Sequence, residues 1–325
     1  MDQEFEIYCG KMKDELERLC GEKTRITLTE TVKNNGLVRW GFQLMAEGRN
    51  SAVILYVDDF YKDYQNGIGV GELARMAFSD YKNREKDLPG ILKKMGDVSG
   101  LEGVRDRIIY KLVNYEKNEK LLGDIPHVRF CDLAAVFSLA VDLRNAYQMS
   151  AMISNECLER WGIDSETLFG IAAANTQRRF PTSVKTMAEV MREIVSESMG
   201  EEQGEDFLGE LFSVPQTCPM YVMSNSVGIY GAAVVLYDGE LRRLASALGR
   251  DLIILPSSVH EVLVIPYNEE LVMGDLREMV RHVNESEVPE EEVLSDNVYW
   301  YNRDTDTISI IYDRQKDVTE GSVPR

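Results

Sequence analysis

Histidine is the scarcest reactive residue in this chain: 325 residues hold three, His127, His260 and His282. No two of them lie three or four positions apart, so no helix can offer a histidine pair to a metal. Cysteine is also sparse. Cys9, Cys20, Cys131, Cys157 and Cys218 form an odd set without a C-x-x-C, which argues against a disulfide framework or a cysteine-rich zinc site. No run of about 18 apolar residues occurs, and the opening MDQEFEIYCGKMKDELERLC lacks an apolar signal core. Positive charge is in deficit, with 36 Lys and Arg against 55 Asp and Glu and a net charge of −19. Such a surface repels phosphate backbones. These absences lead to the expectation of a reduced, soluble, cytoplasmic protein. No metal or cofactor is expected, and no nucleic acid or membrane as direct partner.

What is present suffices for a sizeable core: 44% of residues are hydrophobic. Phe5, Cys9, Met12, Leu16 and Leu19 recur at helical spacing. Val38, Trp40, Phe42 and Leu44 alternate, so they share one face of a strand. Asn35-Gly36 ahead of them suits a type I′ turn, with RITLTETV as partner strand and SAVILYV as a third. Leu73, Met76 and Ala77 suggest a helix. RIIYKLV, VRFCDLAAVFSLAV and AYQMSAMI read as three further strands. Helices are expected after Ser154, from Asp164, and over Val184, Met187, Ala188, Met191 and Ile194. The C-terminal part reads β-β-α-β-β-α-β-β, with YVMSN and GAAVVLY as its first strands and Asp238 capping the first helix.

Strand runs broken by unpaired helices predict an α+β fold with mixed or antiparallel sheets. Two parts are expected, 1–200 and 213–315, joined by an acidic linker at 196–212 and followed by a polar tail at 316–325. MSAMISNECLERWG and AAVVLYDGELRRLA resemble each other as strand-to-helix entries, a weak hint of duplication.

Several motifs fail on their chemistry. ILYVDDF matches a polymerase Tyr-x-Asp-Asp, but no earlier strand supplies the further aspartate that a two-metal site needs. Its acids are expected to face water at a strand end. GIGVGEL lacks the last glycine of a dinucleotide fingerprint and the Lys of a P-loop, so it reads as a turn into a helix. Cys131 is expected as a small buried group on an apolar strand, and packing is the favoured role for Cys218. His127 is expected as a turn histidine bonded to backbone. NVYWYN places Trp300 on one face and Tyr299 and Tyr301 on the other, suiting core packing.

LPSSVHEVLVIP holds the one cluster with catalytic side-chain types: Ser257, Ser258, His260 and Glu261. Position 264 is Val264, so H-E-x-x-H is absent, and the serines lack the glycines of a nucleophile elbow. In an extended chain Glu261 would point away from His260. The favoured reading is a Pro-Ser-Ser turn returning VLVI beside LIIL. The alternative is a site with Ser258 as nucleophile, His260 as base and Glu261 as the supporting acid.

YKLVNYEKNEKLL, CLERWGIDSETLFGIAAANT, GIYGAAVVLYDGELRRLASALGRDLIILPSSVHEVLVIP and VLSDNVYWYNRDT together resemble an uncharacterised family of unknown function. That family is widespread in anaerobic Gram-positive gut bacteria and often carried on mobile elements. The resemblance spans roughly residues 20 to 312. The order of elements is also similar, more distantly, to a second Gram-positive family of unknown function. The resemblance implies one whole-chain unit and a bacterial cytoplasmic setting, with no activity to transfer. Three functions are therefore expected to compete. The first is a non-enzymatic binding or regulatory protein with a protein partner, such as an accessory of a mobile element. The others are a small hydrolase or transferase using Ser258 and His260, and an acidic mimic blocking a nucleic-acid-binding protein.

Overall fold

In the computed structural model, which describes residues 2–49, 51–142, 149–199, 219–256, 258–311 and 323–324, the chain is α+β with antiparallel sheets. It forms two compact units, residues 1–96 and 97–325.

The first unit begins with α1 (Gln3–Cys20), capped by Asp2, whose carboxylate accepts the Phe5 N–H at 2.8 Å. Strands β1 (Thr24–Val32), β2 (Val38–Ala46) and β3 (Val53–Tyr56) follow as an antiparallel meander. Asn35 and Gly36 both take left-handed φ, 59° and 73°, as the Asn-Gly turn requires. Helices α2 (Asp58–Gln65) and α3 (Val70–Met95) complete the unit. One face of the sheet, carrying Phe42 and Leu44, closes on Tyr8 and Met12 of α1 and Leu73 and Ala77 of α3. Leu19, Val38 and Met76, expected inward, are exposed at the rim. Gly67, at φ 96°, turns the chain towards α3 as GIGVGEL suggested.

Asp58 and Asp59 follow just after the end of β3, and Asp59 is exposed as expected for the YVDDF stretch, whereas Asp58 is partly buried. They open α2 and are held by Arg39, whose Nε lies 2.9 Å from Asp58 and whose Nη2 lies 2.5 Å from Asp59. Asp58 also accepts the Trp40 N–H at 2.9 Å. The carboxylates thus join a strand to a helix start, where negative charge is favoured.

In the second unit β4 (Ile108–Asn114), the short α4 (Glu119–Leu122), β5 (His127–Phe130), β6 (Leu133–Asp142) and β7 (Met149–Met152) come first. β4 pairs one edge of β6; β5 and β7 pair the other. VRFCDLAAVFSLAV is therefore two strands. Cys131 sits between them at φ 53°, half-buried in a tight turn, not within an apolar strand.

Helices α5 (Asn155–Trp161) and α6 (Ser165–Arg179) lead to β8 (Thr182–Thr186) and α7 (Met187–Met199). Val184 belongs to β8, and α7 buries Val195 while Ile194 is exposed. Then come β9 (Tyr221–Asn225), α8 (Glu240–Leu248), β10 (Leu252–Leu255), β11 (Val262–Pro266), α9 (Met273–Ser286), β12 (Tyr299–Asn302), β13 (Thr307–Ile310) and β14 (Val323–Pro324). They build a sheet ordered β14-β13-β12-β10-β11-β9-β8.

β8 and β9, on either side of residues 200–218, pair directly, with Val184 opposite Met223. One sheet thus spans the position where a division into 1–200 and 213–315 was expected, and the units meet instead at 96–97. Residues 200–212 of the expected linker, Cys218 and nearly all of the expected tail lie outside the described residues.

β10, LIIL, is buried along its whole length because both faces of the sheet are covered. Leu252 and Ile254 join the core shared with β4 and β6, whereas Ile253 and Leu255 pack with Val280 of α9. Tyr299 and Tyr301 face the first side, and Trp300 packs against Tyr267 on the second, 4.4 Å between centroids with the rings tilted by 45°.

GAAVVLY, expected as a strand, is a buried 3-10 turn over Gly231–Leu236. Asp238 does not cap α8; Gly239, at φ 72°, does. The backbone N–H and C=O of Asp238 bond the Gln177 amide at 3.3 and 3.2 Å. The resemblance between its two stretches therefore fails at the strand: β7 precedes α5, but a 3-10 turn precedes α8.

Candidate functional site

The LPSSVHEVLVIP stretch closes as the favoured reading required. β10 and β11 run antiparallel, with Ile253 opposite Ile265. The Ser258 N–H donates to the Glu261 carbonyl at 3.3 Å, and Ser258 Oγ accepts the His260 N–H at 3.0 Å. This is a serine satisfying turn amides. Ser257 lies outside the described residues.

The His260 ring turns away from both supposed partners. Its Nδ1 accepts the backbone N–H of Tyr230 at 3.2 Å. An amide N–H can only donate, so the proton of the neutral ring sits on Nε2. Nε2 faces Glu292 Oε1 at 3.5 Å. The ring stacks on Tyr230, 5.7 Å between centroids at 20°. Ser258 thus meets the backbone of His260 rather than its imidazole, and Glu261 contributes its carbonyl rather than its carboxylate. The structure places all three in one turn but does not align them as nucleophile, base and orienting acid.

Tyr230 has a left-handed φ of 52°, uncommon for an aromatic residue. Gly231 makes the conformation possible. A Cβ there would collide with Ser224 Oγ and the His260 carbonyl, and would lie 2.7 Å from the Asn225 nitrogen. The His260 carbonyl itself accepts the Ser224 hydroxyl at 2.7 Å. Asn225 shapes the loop, its amide accepting from Val227 and Gly228 and donating to Ile229.

The Tyr230 ring also borders a shallow open cleft. Ile109, Lys111, Ser138, Phe180 and Ile229 are among its lining residues. Lys111 Nζ lies 4.4 Å from the Tyr230 ring centroid, within cation–π range.

A second polar assembly fastens β12 to the β5–β6 turn. The Asp132 carboxylate accepts from Ser295 Oγ at 2.5 Å, Asn297 Nδ2 at 2.9 Å and Tyr299 OH at 2.7 Å. Burial first, and the Asp132 charge second, push the Tyr299 phenol well above its ordinary value. Asn284 on α9 and Asn114 on β4 bind the carbonyls of Ser295 and Leu294. This assembly carries the VLSDNVYWYN stretch and is closed to substrate.

His127 Nδ1 lies 3.1 Å from the Ile125 carbonyl, a turn histidine bonded to backbone. Burial pushes the Cys131 thiol up to about 11. Among the described residues no three His, Cys, Asp or Glu side chains gather to hold a metal ion, and no helix is long and apolar enough to cross a membrane.

The family model of DUF5688, a family of unknown function, matches residues 5–303. The chain belongs to DUF5688. No curated protein and no solved structure matches it. The DUF5688 match covers both compact units, the turn at 256–261 and the cleft. Three residues of this DUF5688 site escaped the sequence reading. Glu292 sits in an undistinguished acidic run, and Tyr230 stands just ahead of GAAVVLY, the segment expected as a strand, with no motif around it. Lys111 carried a signal, a single charge between Ile109 and Val113 on an otherwise apolar strand face.

Proposed function

We propose that the chain is a non-enzymatic binding or regulatory protein whose site is the cleft beside Tyr230. The observation that supports this most is the engagement of His260, whose Nδ1 accepts a backbone N–H. A ring nitrogen so occupied takes no proton from Ser258, whose hydroxyl is in turn tied to the His260 amide. The cluster then serves as the wall of a binding cleft. The composition suits a cytoplasmic setting and a protein partner on the acidic surface, such as one encoded with a mobile element. The charge of −19 also favours contact with a basic protein, which keeps the mimic of nucleic acid as a second reading.

The alternative hydrolase or transferase is tested by a fluorophosphonate probe that labels activated serines. No labelling of the full chain is expected. Labelling of wild type that disappears in both Ser258→Ala and His260→Ala would overturn the non-enzymatic reading.

A further inference from the structure

Lys111 projects from β4 into the cleft, and among the described residues no carboxylate pairs with it, in a chain that holds 55 acids. Ser138 on β6 lies opposite Ile109, and Lys111 lies opposite Val136. Antiparallel partners share a face, so Lys111 and Ser138 are diagonal neighbours on the cleft side of the sheet. Ser138 is 7% exposed, and its hydroxyl has no hydrogen-bond partner among the described residues. A buried hydroxyl and a cation beside it, both open to the same space, lack an acceptor that a ligand can supply. Ile109, Phe180, Ile229 and the Tyr230 ring form the apolar part of the lining; of its other hydroxyls, Thr176 is bonded to backbone and Ser150 lies at the exposed edge on β7. The Asn225 amide, also in the lining, is held by its own loop, its oxygen accepting two N–H groups and its nitrogen donating to the Ile229 carbonyl.

We propose that this cleft binds a small organic monocarboxylate. Its carboxylate takes Lys111 Nζ and Ser138 Oγ, and its apolar body packs against Ile109, Phe180 and Tyr230. One lysine matches one negative charge, and the net charge of −19 disfavours a second uncompensated one, so a carboxylate suits the site better than a phosphate dianion. The inference rests on the binding-protein reading and gives that cleft its ligand class.

Calorimetric titration of the full chain with benzoate, benzamide and inorganic phosphate tests it. Benzoate is expected to bind at least tenfold more tightly than either of the others. Lys111→Met should weaken benzoate at least tenfold, whereas Lys111→Arg should stay within about threefold, with near-UV spectra of both variants unchanged. Benzamide binding as tightly as benzoate, or full benzoate affinity in Lys111→Met, would remove the charge from the proposal and overturn it. Phosphate binding more tightly than benzoate would replace the carboxylate with a free oxyanion, and absence of benzoate binding would overturn the ligand class. Serine labelling by fluorophosphonate would end the binding-protein reading whatever the titration gave, so the two failures are distinguishable.

Discussion

The backbone N–H of Tyr230 donates to Nδ1 of His260 at 3.2 Å, and this bond, not a contact with Ser258 or Glu261, fixes the imidazole. It joins the loop after β9 to the turn between β10 and β11. His260→Ala would leave that partly buried amide without its acceptor, a loss of about 1–3 kcal/mol. Glu292 is 37% exposed, so Glu292→Gln should cost under about 1 kcal/mol. Urea unfolding of the two variants checks the contrast; equal losses would show that the ring is held mainly by Glu292.

Gly231 is the least replaceable residue of the site. A Cβ there meets a carbonyl oxygen and a main-chain nitrogen, which cannot swing aside as a side-chain end can. Gly231→Ala is expected to cost about 3 kcal/mol or more, seen as a lower unfolding midpoint. A midpoint within experimental scatter of wild type would contradict the close approach of β9 and the 256–261 turn.

Asp132 anchors three donors at once. Asp132→Ala should destabilise by about 3–5 kcal/mol, because Ser295, Asn297 and Tyr299 would each lose an acceptor in a buried place. Tyr299→Phe removes one donor and leaves the carboxylate two others, so about 1–2 kcal/mol is expected. Similar losses for the two variants would mean that the carboxylate does not organise the group.

Stability should fall at alkaline pH. Burial pushes the Cys9 and Cys131 thiols from an ordinary value near 9.0 up to about 11. Above pH 9 the unfolded thiols lose protons that the folded ones keep, so the unfolded state is favoured as pH rises towards 11. Each thiol contributes up to about 3 kcal/mol across that window. Tyr8 and Tyr237, raised mainly by burial, act in the same direction at still higher pH. Denaturant midpoints at pH 8 and pH 10.5 measure the effect; a flat profile would contradict it.

The same two thiols should be slow nucleophiles. At pH 8 their thiolate fraction is about 100-fold below that of an ordinary thiol at 9.0, and their higher basicity recovers only roughly tenfold. Iodoacetamide labelling of the native chain, read by peptide mass spectrometry, should show Cys9 and Cys131 reacting about tenfold slower than free cysteine. Rates near that of free cysteine would mean that the thiols are not buried as described.

Elements with one apolar face were legible in the sequence: α1, β2 and the β12–β13 hairpin follow from spacing and turn residues, and the β10–β11 pair, buried on both faces, follows from its Pro-Ser-Ser turn. Segments buried on every side and not marked by turn residues were not. GAAVVLY is apolar throughout, and a run of that kind has no period to separate a strand from a 3-10 turn. Cys131-Asp132 lacked glycine, so the turn between β5 and β6 left no mark in composition. The 256–261 turn was readable from Pro256 and Ser258, because both act locally. The direction of His260 was not, since Tyr230 is 30 residues away and Glu292 is 32. Long-range partners of a single side chain leave no pattern in one sequence.

The most direct test of the account is the tautomer of His260, read from the two imidazole nitrogen shifts in a long-range ¹⁵N–¹H correlation spectrum of the neutral ring. The account predicts a proton on Nε2 and an acceptor Nδ1, unchanged in Ser258→Ala. A proton on Nδ1, or a ring whose shifts move when the Ser258 hydroxyl is removed, would contradict it.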